Sequence, residues 1–255
     1  MLRPRLIPVL LIHNGGLVKT IKFGQPKYVG DPINAVRIFN EKQADELMVV
    51  DIDASVNGKE PDYQTISHLA MECRMPLCYG GGVRSAENFE RLVELGVEKV
   101  AICSAAVEEA EIISEAAQRV GSQSVVVVMD VKKTGFTRSY EIVTHNATRR
   151  TGLNPCDFAR SVSELGAGEI VVNSVDADGT MSGYDMKLVE YVRDVTSVPL
   201  TICGGAGSMK DVGELWKTMG PLGAAAGSMF VFKGKYRAVL ISYPRPDERS
   251  EYLPT

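Results

Sequence analysis

SVVVVMD at residues 124–130 is the stretch whose reading decides the fold. Four valines and a methionine follow one another without interruption, and an aspartate closes the run. A strand with one wet face would alternate apolar and polar residues. A short, unbroken, β-branched run belongs instead to a strand buried on both faces, as in a parallel sheet covered by helices. Seven more runs follow the same rule: 6–11 (LIPVLL), 47–52 (LMVVDI), 76–79 (PLCY), 99–103 (KVAIC), 169–174 (EIVVNS), 198–203 (VPLTIC) and 223–228 (GAAAGS). Amphipathic stretches at 32–44, 85–95, 108–119 and 156–165 lie between them. Eight strands alternating with helices predict an α/β chain folded as a single (β/α)8 TIM barrel over residues 1–255.

The spacing of the runs adds a second argument. Starts at 6, 47, 76 and 99 step by 41, 29 and 23 residues, and starts at 124, 169, 198 and 223 step by 45, 29 and 25. The chemistry repeats as well. VVDIDAS at 49–55 parallels VNSVDADG at 172–179, and Gly80–Gly81–Gly82 parallels Gly204–Gly205–Ala206. These are two half-barrels, about 1–120 and 121–235, with a C-terminal tail over about 244–255.

Composition narrows the function. The chain is 45% hydrophobic and 24% charged with a net charge of -4, which excludes a disordered chain and gives no broad basic face for nucleic acid. At 255 residues a large core needs neither disulfides nor metal. Five cysteines, at 73, 78, 103, 156 and 203, form no CxxC pair and read as free thiols in a reducing cytoplasm. The apolar run Leu6 to Ile12 is too short for a signal sequence or a membrane span. His13, His68 and His145 are scattered without ligand spacing, so no metal or other cofactor is expected.

In such a barrel the active face lies at the C-terminal ends of the strands. That rule selects Leu10–Leu11, Asp51, Gly80–Gly82, Cys103–Ser104, Asp130, Asp176 with Asp178, Gly204–Gly205 and Gly227–Ser228. Asp130, at the mouth end of an apolar strand, is a desolvated acid suited to proton transfer; the plain alternative is a helix cap. Asp51 and Asp178 fit either a site or loop organisation. The two glycine clusters fit either tight turns or backbone phosphate cradles, and two cradles would suit a substrate with a phosphate at each end. The long segment from His13 to Asp31 reads as a mouth lid, in which Lys19 is a phosphate-steering charge or a solvated one.

The residues resemble the cyclase subunit (HisF) family of imidazole glycerol phosphate synthase over nearly the whole chain, from RLIPVL to about Phe232. GDP at 30–32, ADEL at 44–47, GGGVRS at 80–85, ELGAGEI at 164–170, DGT-GYD at 178–185 and GGAGS at 204–208 carry the likeness. The resemblance implies a barrel that receives ammonia from a glutaminase subunit in a heterodimer. It adds that ammonia to a bisphosphorylated ribulosyl substrate and releases an aminoimidazole carboxamide ribotide. It also implies contacts to the phosphorylated substrate from Lys19, Asp51, Gly81, Gly82, Ser104, Asp178, Gly179, Gly204, Gly205 and Ser228. At the opposite end it implies an ammonia gate of Arg5, Glu46, Lys99 and Glu169, against the simpler reading of a charge ring that closes the barrel bottom.

One departure governs the functional expectation. The family places catalytic aspartates at the ends of strands one and five; Asp130 matches the second, while the first position holds Leu11. Leucine transfers no proton, and acid–base groups typically contribute about 100- to 10,000-fold. Ordinary cyclase activity is therefore expected to be impaired. The strand-four end reads Cys103–Ser104 and the strand-six end Asn173, where the family usually has Asn-Thr and Thr. His13 lies two residues further along the loop than Leu11, and it is not expected to substitute for the missing acid. The run RLIPVLLIHNGGLVKT resembles paralogues associated with surface-polysaccharide (lipopolysaccharide) gene clusters, which implies ammonia supply for acetamidino-sugar formation with a separate sugar amidotransferase. The alternatives are an ordinary histidine-pathway cyclase and a noncatalytic scaffold that docks the glutaminase.

Overall fold

All eight apolar runs form strands: β1 (Arg5–His13), β2 (Leu47–Asp51), β3 (Leu77–Gly80), β4 (Lys99–Ile102), β5 (Val125–Thr134), β6 (Glu169–Ser174), β7 (Leu200–Cys203) and β8 (Gly223–Ala226). The computed structural model describes residues 3–135 and 139–253. The last two residues of the tail expected at 244–255 lie outside these. Each strand pairs in parallel with its neighbours, and β1 pairs with both β2 and β8, which closes the circuit. The fold is thus the expected (β/α)8 barrel. In the register, Arg5 lies beside Gly223 and Asn173 beside both Asp130 and Cys203.

Seven helices cover the strands: α1 (Pro32–Glu41), α2 (Tyr63–Glu72), α3 (Ala86–Glu94), α4 (Glu111–Val120), α5 (Pro155–Glu164), α6 (Met186–Arg193) and α7 (Met209–Met219). Their starts are written in the sequence. Asp31, Asp62, Asn154 and Asp185 each accept a backbone N–H in the first turn, and Pro32 and Pro155 occupy early helical positions. Such caps are worth about 1 kcal/mol each. The eighth place differs from the simple alternation. Directly after β8 the chain makes one short helical turn, Ser228–Val231, before Gly234 (φ 72°) turns it back, and a short helix Pro246–Ser250 follows in the tail. Tyr243 fills the gap instead: its ring packs on Phe230 (centroids 5.4 Å apart), and its hydroxyl donates to the Leu6 carbonyl at 2.8 Å.

Two cores result. The larger lies between strands and helices and includes Leu6, Phe39, Phe89 and Trp216. The smaller fills the barrel axis with Ile7, Val9, Met48, Cys78, Val126, Val171 and Ala225, with Leu11, Val50 and Val128 partly buried against it. Side chains alternate along a strand, so Arg5, Ile7, Val9, Leu11 and His13 share one side of β1. That parity runs from the floor of the barrel to its mouth.

The segment from His13 to Asp31, expected as a long mouth loop, contains two short strands on either side of an irregular stretch, Thr20 to Pro26. Asn14 (φ 49°) and Gly15 (φ 76°) make a two-residue turn into a strand Gly16–Lys19, which pairs antiparallel with β1 and with Lys27–Gly30. Asn-Gly is the favoured pair for this turn, because both positions need positive φ.

Candidate active site at the barrel mouth

The strand ends surround a cavity of about 280 Å³. Leu11, Lys19, Asp51, Gly81, Gly82, Ser104, Asp130, Asp178 and Ser228 all line it, whereas Gly179, Gly204 and Gly205 do not. β1 and β5 stand opposite one another in the eight-strand circuit, so Leu11 and Asp130 face the cavity from opposite walls.

Asp130 is held by two donors. Asn173 Nδ2 donates to Oδ1 at 2.9 Å and Cys103 Sγ to Oδ2 at 3.6 Å. Burial pushes its carboxyl up to about 6, against the pull of those two hydrogen bonds. The thiol of Cys103 is raised well above its ordinary value by burial and by the neighbouring Asp130. Asn173 Oδ1 is buried without a partner and lies over Gly204, where a Cβ would come within 2.9 Å of it. Asp130 caps no helix; it is a desolvated acid facing a cavity, which is the arrangement proton transfer requires.

The other two acids differ. Asp51 Oδ1 accepts from the N–H groups of Asp53 (2.8 Å) and Ala54 (3.1 Å), so it organises the loop after β2 as well as lining the mouth. Burial raises it nevertheless. Asp178 is raised by burial and lowered by the charge of Lys19. Lys19 is buried, so a solvated surface charge is not what it is. Its Nζ donates to the Val9 carbonyl, and burial pushes it down to about 8.

The glycine clusters behave chiefly as close-approach turns. Gly81 (φ 121°) brings its backbone so near the β2 end that a Cβ would lie 2.5 Å from the Asp51 carbonyl. Gly82 N–H is already bound to Ser55 Oγ at 3.3 Å. Ser104 and Ser228 begin short helical turns after β4 and β8, the related strand ends of the two halves.

The histidines are not scattered in space. His13 and His145 both line the cavity, and His68 is exposed on α2. His13 Nδ1 lies 2.7 Å from Asp53 Oδ1, Asn14 N–H donates to Asp53 Oδ2 at 2.7 Å, and Asn146 Nδ2 donates to the neighbouring Ile52 carbonyl at 2.9 Å. The sequence reading passed over Asp53. The signal was available in the parity of β1, which aligns position 13 with position 11, and in the Asn-Gly turn that fixes it. Among the described residues no group of three or more His, Cys, Asp or Glu is arranged to hold a metal ion, and no helix is long and apolar enough to cross a membrane.

At the opposite end the four charges chosen from the sequence meet. Arg5 reaches Glu46 at 2.5 Å and Glu169 at 2.7 Å, and Lys99 reaches Glu46 at 2.9 Å and Glu169 at 2.8 Å. Burial opposes the charge on Glu169, but Arg5 and Lys99 outweigh it and hold the carboxyl below its ordinary range. Thr201 is a fifth member, donating to Glu169 and accepting from Arg5 Nη2 at 3.3 Å. It was legible only as the one hydroxyl in VPLTIC.

Comparison with known proteins agrees with this architecture. A family profile described as "Histidine biosynthesis protein" matches residues 5–237. The chain is 53% identical to "Putative imidazole glycerol phosphate synthase subunit HisF" of Leptospira interrogans, over 98% of each chain. It is 50% identical to "Putative imidazole glycerol phosphate synthase subunit hisF2" of Pseudomonas aeruginosa, over 96% of this chain and 97% of that one. Identity to "Imidazole glycerol phosphate synthase subunit HisF" of Hyphomonas neptunium is 41%, over 91% of each.

Proposed function

This chain belongs to the histidine biosynthesis protein family, within its HisF-type barrels, and from that premise we propose that it carries ammonia from a glutaminase partner to an acceptor other than the usual cyclase substrate. The acceptor chemistry is amidation of a sugar, as in acetamidino-sugar formation for surface polysaccharide, with a sugar amidotransferase as a second partner. The observation that carries this reading is a mismatch between the two ends of the barrel. The floor keeps the whole four-charge ring, and the axis above it is apolar, a path suited to a small neutral molecule. The mouth opposes Asp130 with Leu11, so it lacks the pair of carboxylates that ordinary ring closure uses. Lys19, Ser104 and Ser228 remain at the mouth as contacts for a phosphorylated ligand, and Asp51, Gly81, Gly82 and Asp178 shape it. Gly179, Gly204 and Gly205 support that wall from outside the cavity. Five unpaired cysteines suit a cytoplasmic setting.

Two experiments test the proposal. In a histidine auxotroph lacking its cyclase, the gene is expected not to restore growth; normal growth would return the chain to the ordinary histidine pathway. With the glutaminase and a sugar acceptor, glutamine-driven nitrogen transfer is expected to fall in Arg5→Ala and Lys99→Ala. Unchanged transfer in both variants would remove the role of the floor ring as a gate.

A further inference from the structure

The wall that lost its carboxylate carries another proton-transfer group. His13 is the last residue of β1 and its side chain shares the side of Leu11, two residues higher. At a rise of about 3.3 Å per residue it stands about 6.6 Å farther toward the mouth opening. The Asn14–Gly15 turn and the ladder pair His13–Gly16 fix its backbone. Asp53 fixes its ring. One carboxylate oxygen takes the imidazole at 2.7 Å and the other takes the Asn14 N–H at 2.7 Å. An ionised carboxylate only accepts, so Nδ1 carries the hydrogen and Nε2 is an acceptor. Asn14 Nδ2 donates to Nε2 at 3.0 Å, a contact that a substrate N–H would displace. His13, oriented by a carboxylate, and the buried Asp130 thus line one cavity from opposite walls, the composition an acid–base pair needs.

We propose that His13, positioned by Asp53, is the general base of this mouth, acting opposite Asp130 when ammonia adds to the carbonyl carbon of a sugar phosphate. The substrate class follows from the neighbours. Ammonia needs an electrophilic carbon, and Lys19, Ser104 and Ser228 on the same cavity suit a phosphate. In the first step the C–N bond forms, the carbonyl π pair moves to oxygen, Asp130 protonates that oxygen and His13 Nε2 removes a proton from nitrogen. In the second step the carbinolamine loses water. His13 returns its proton to the departing hydroxyl, nitrogen forms the double bond, and Asp130 recovers a proton from nitrogen. The net change is a carbonyl and ammonia converted to an imine and water, with both side chains restored.

The inference rests on the reading that ammonia is used at this mouth, and its test avoids the glutaminase. The full chain is mixed with ribulose 5-phosphate and ammonium chloride, the imine is trapped with cyanoborohydride, and the amino-sugar phosphate is counted by mass spectrometry. The native chain is expected to exceed the protein-free rate. His13→Gln is expected to lower kcat by about 100-fold or more with KM unchanged. Asp53→Asn should also lower kcat and leave KM alone, which a mere loosening of the loop would not do. The double variant Leu11→Asp with His13→Gln is expected to recover part of the rate, showing that the protein still folds and that a proton acceptor is what was lost. A native rate equal to the protein-free rate, a His13→Gln rate equal to native, or no recovery in the double variant overturns the proposal. Each of these outcomes leaves glutamine-driven supply through the floor ring standing, since that is read in the separate assay above.

Discussion

The two ends of the barrel treat charge in opposite ways. At the floor, each of two acids pairs with each of two bases at 2.5–2.9 Å, so burial is compensated. At the mouth, Asp130 is buried beside neutral donors only, and burial dominates its carboxyl. The same desolvation is therefore outweighed by ion pairing at the floor and creates a poised acid at the mouth. A closed ring tolerates little change; an uncompensated acid is what chemistry can use.

The largest expected effect comes from breaking the floor. Glu169→Ala removes one of the two acids shared by Arg5 and Lys99 and leaves both cations on Glu46 alone, one positive charge uncompensated, at a cost of about 3–5 kcal/mol in denaturant-induced unfolding. A loss below about 1 kcal/mol would show that the ring is solvent-compensated and that the contrast with the mouth is weaker than drawn.

Next comes Asp130→Asn, with the opposite sign. Because the native carboxyl titrates near 6 rather than 3.8, the native state holds a proton that the unfolded chain has released. That stabilisation is complete below about pH 4 and is lost as pH rises through 6. At pH 7–8 the amide variant is thus expected to be more stable than native by about 3 kcal/mol, and the gain should vanish below pH 4. Equal stability at both pH values would mean that the mouth solvates Asp130.

Leu11→Asp sharpens the comparison chemically. It restores the carboxylate pair across the cavity and is expected to raise turnover of the family's bisphosphorylated ribulosyl substrate with ammonium salt by about 100-fold, measured by aminoimidazole product. No increase would place the block elsewhere, at Cys103 or Asn173. The smallest effect belongs to Thr201→Val, which keeps the shape of the floor but removes the hydroxyl between Glu169 and Arg5, for a loss of about 1–2 kcal/mol.

Much of this molecule is legible in one dimension. SVVVVMD, its seven counterparts and the Asp, Asn and Ser caps each carry local chemistry, and strand ends agree with the structure to within a few residues. Arg5, Glu46, Lys99 and Glu169 were selected by resemblance, and their convergence follows from strand register. The paired glycines were harder. Their positive φ values suit a cradle and a tight turn equally, and only the neighbouring atoms separate the two: Ser55 on Gly82, and the Gly183 carbonyl on Gly205. The two short strands within His13–Asp31 went unseen because a four-residue strand leaves too short a pattern to outweigh loop composition.

By itself the sequence determined the barrel, since unbroken apolar runs at repeated spacing have few other burial solutions, and it determined that position 11 cannot move a proton. Tertiary structure decided what stands in for that position. His13 and Asp53 are 40 residues apart, on different strands' loops, and neither has a chemical signature alone. A dyad exists only where parallel register and a left-handed turn bring two ordinary side chains to 2.7 Å, and that distance is set by the pairing of β1 with β2, which lays Ile12 beside Asp51.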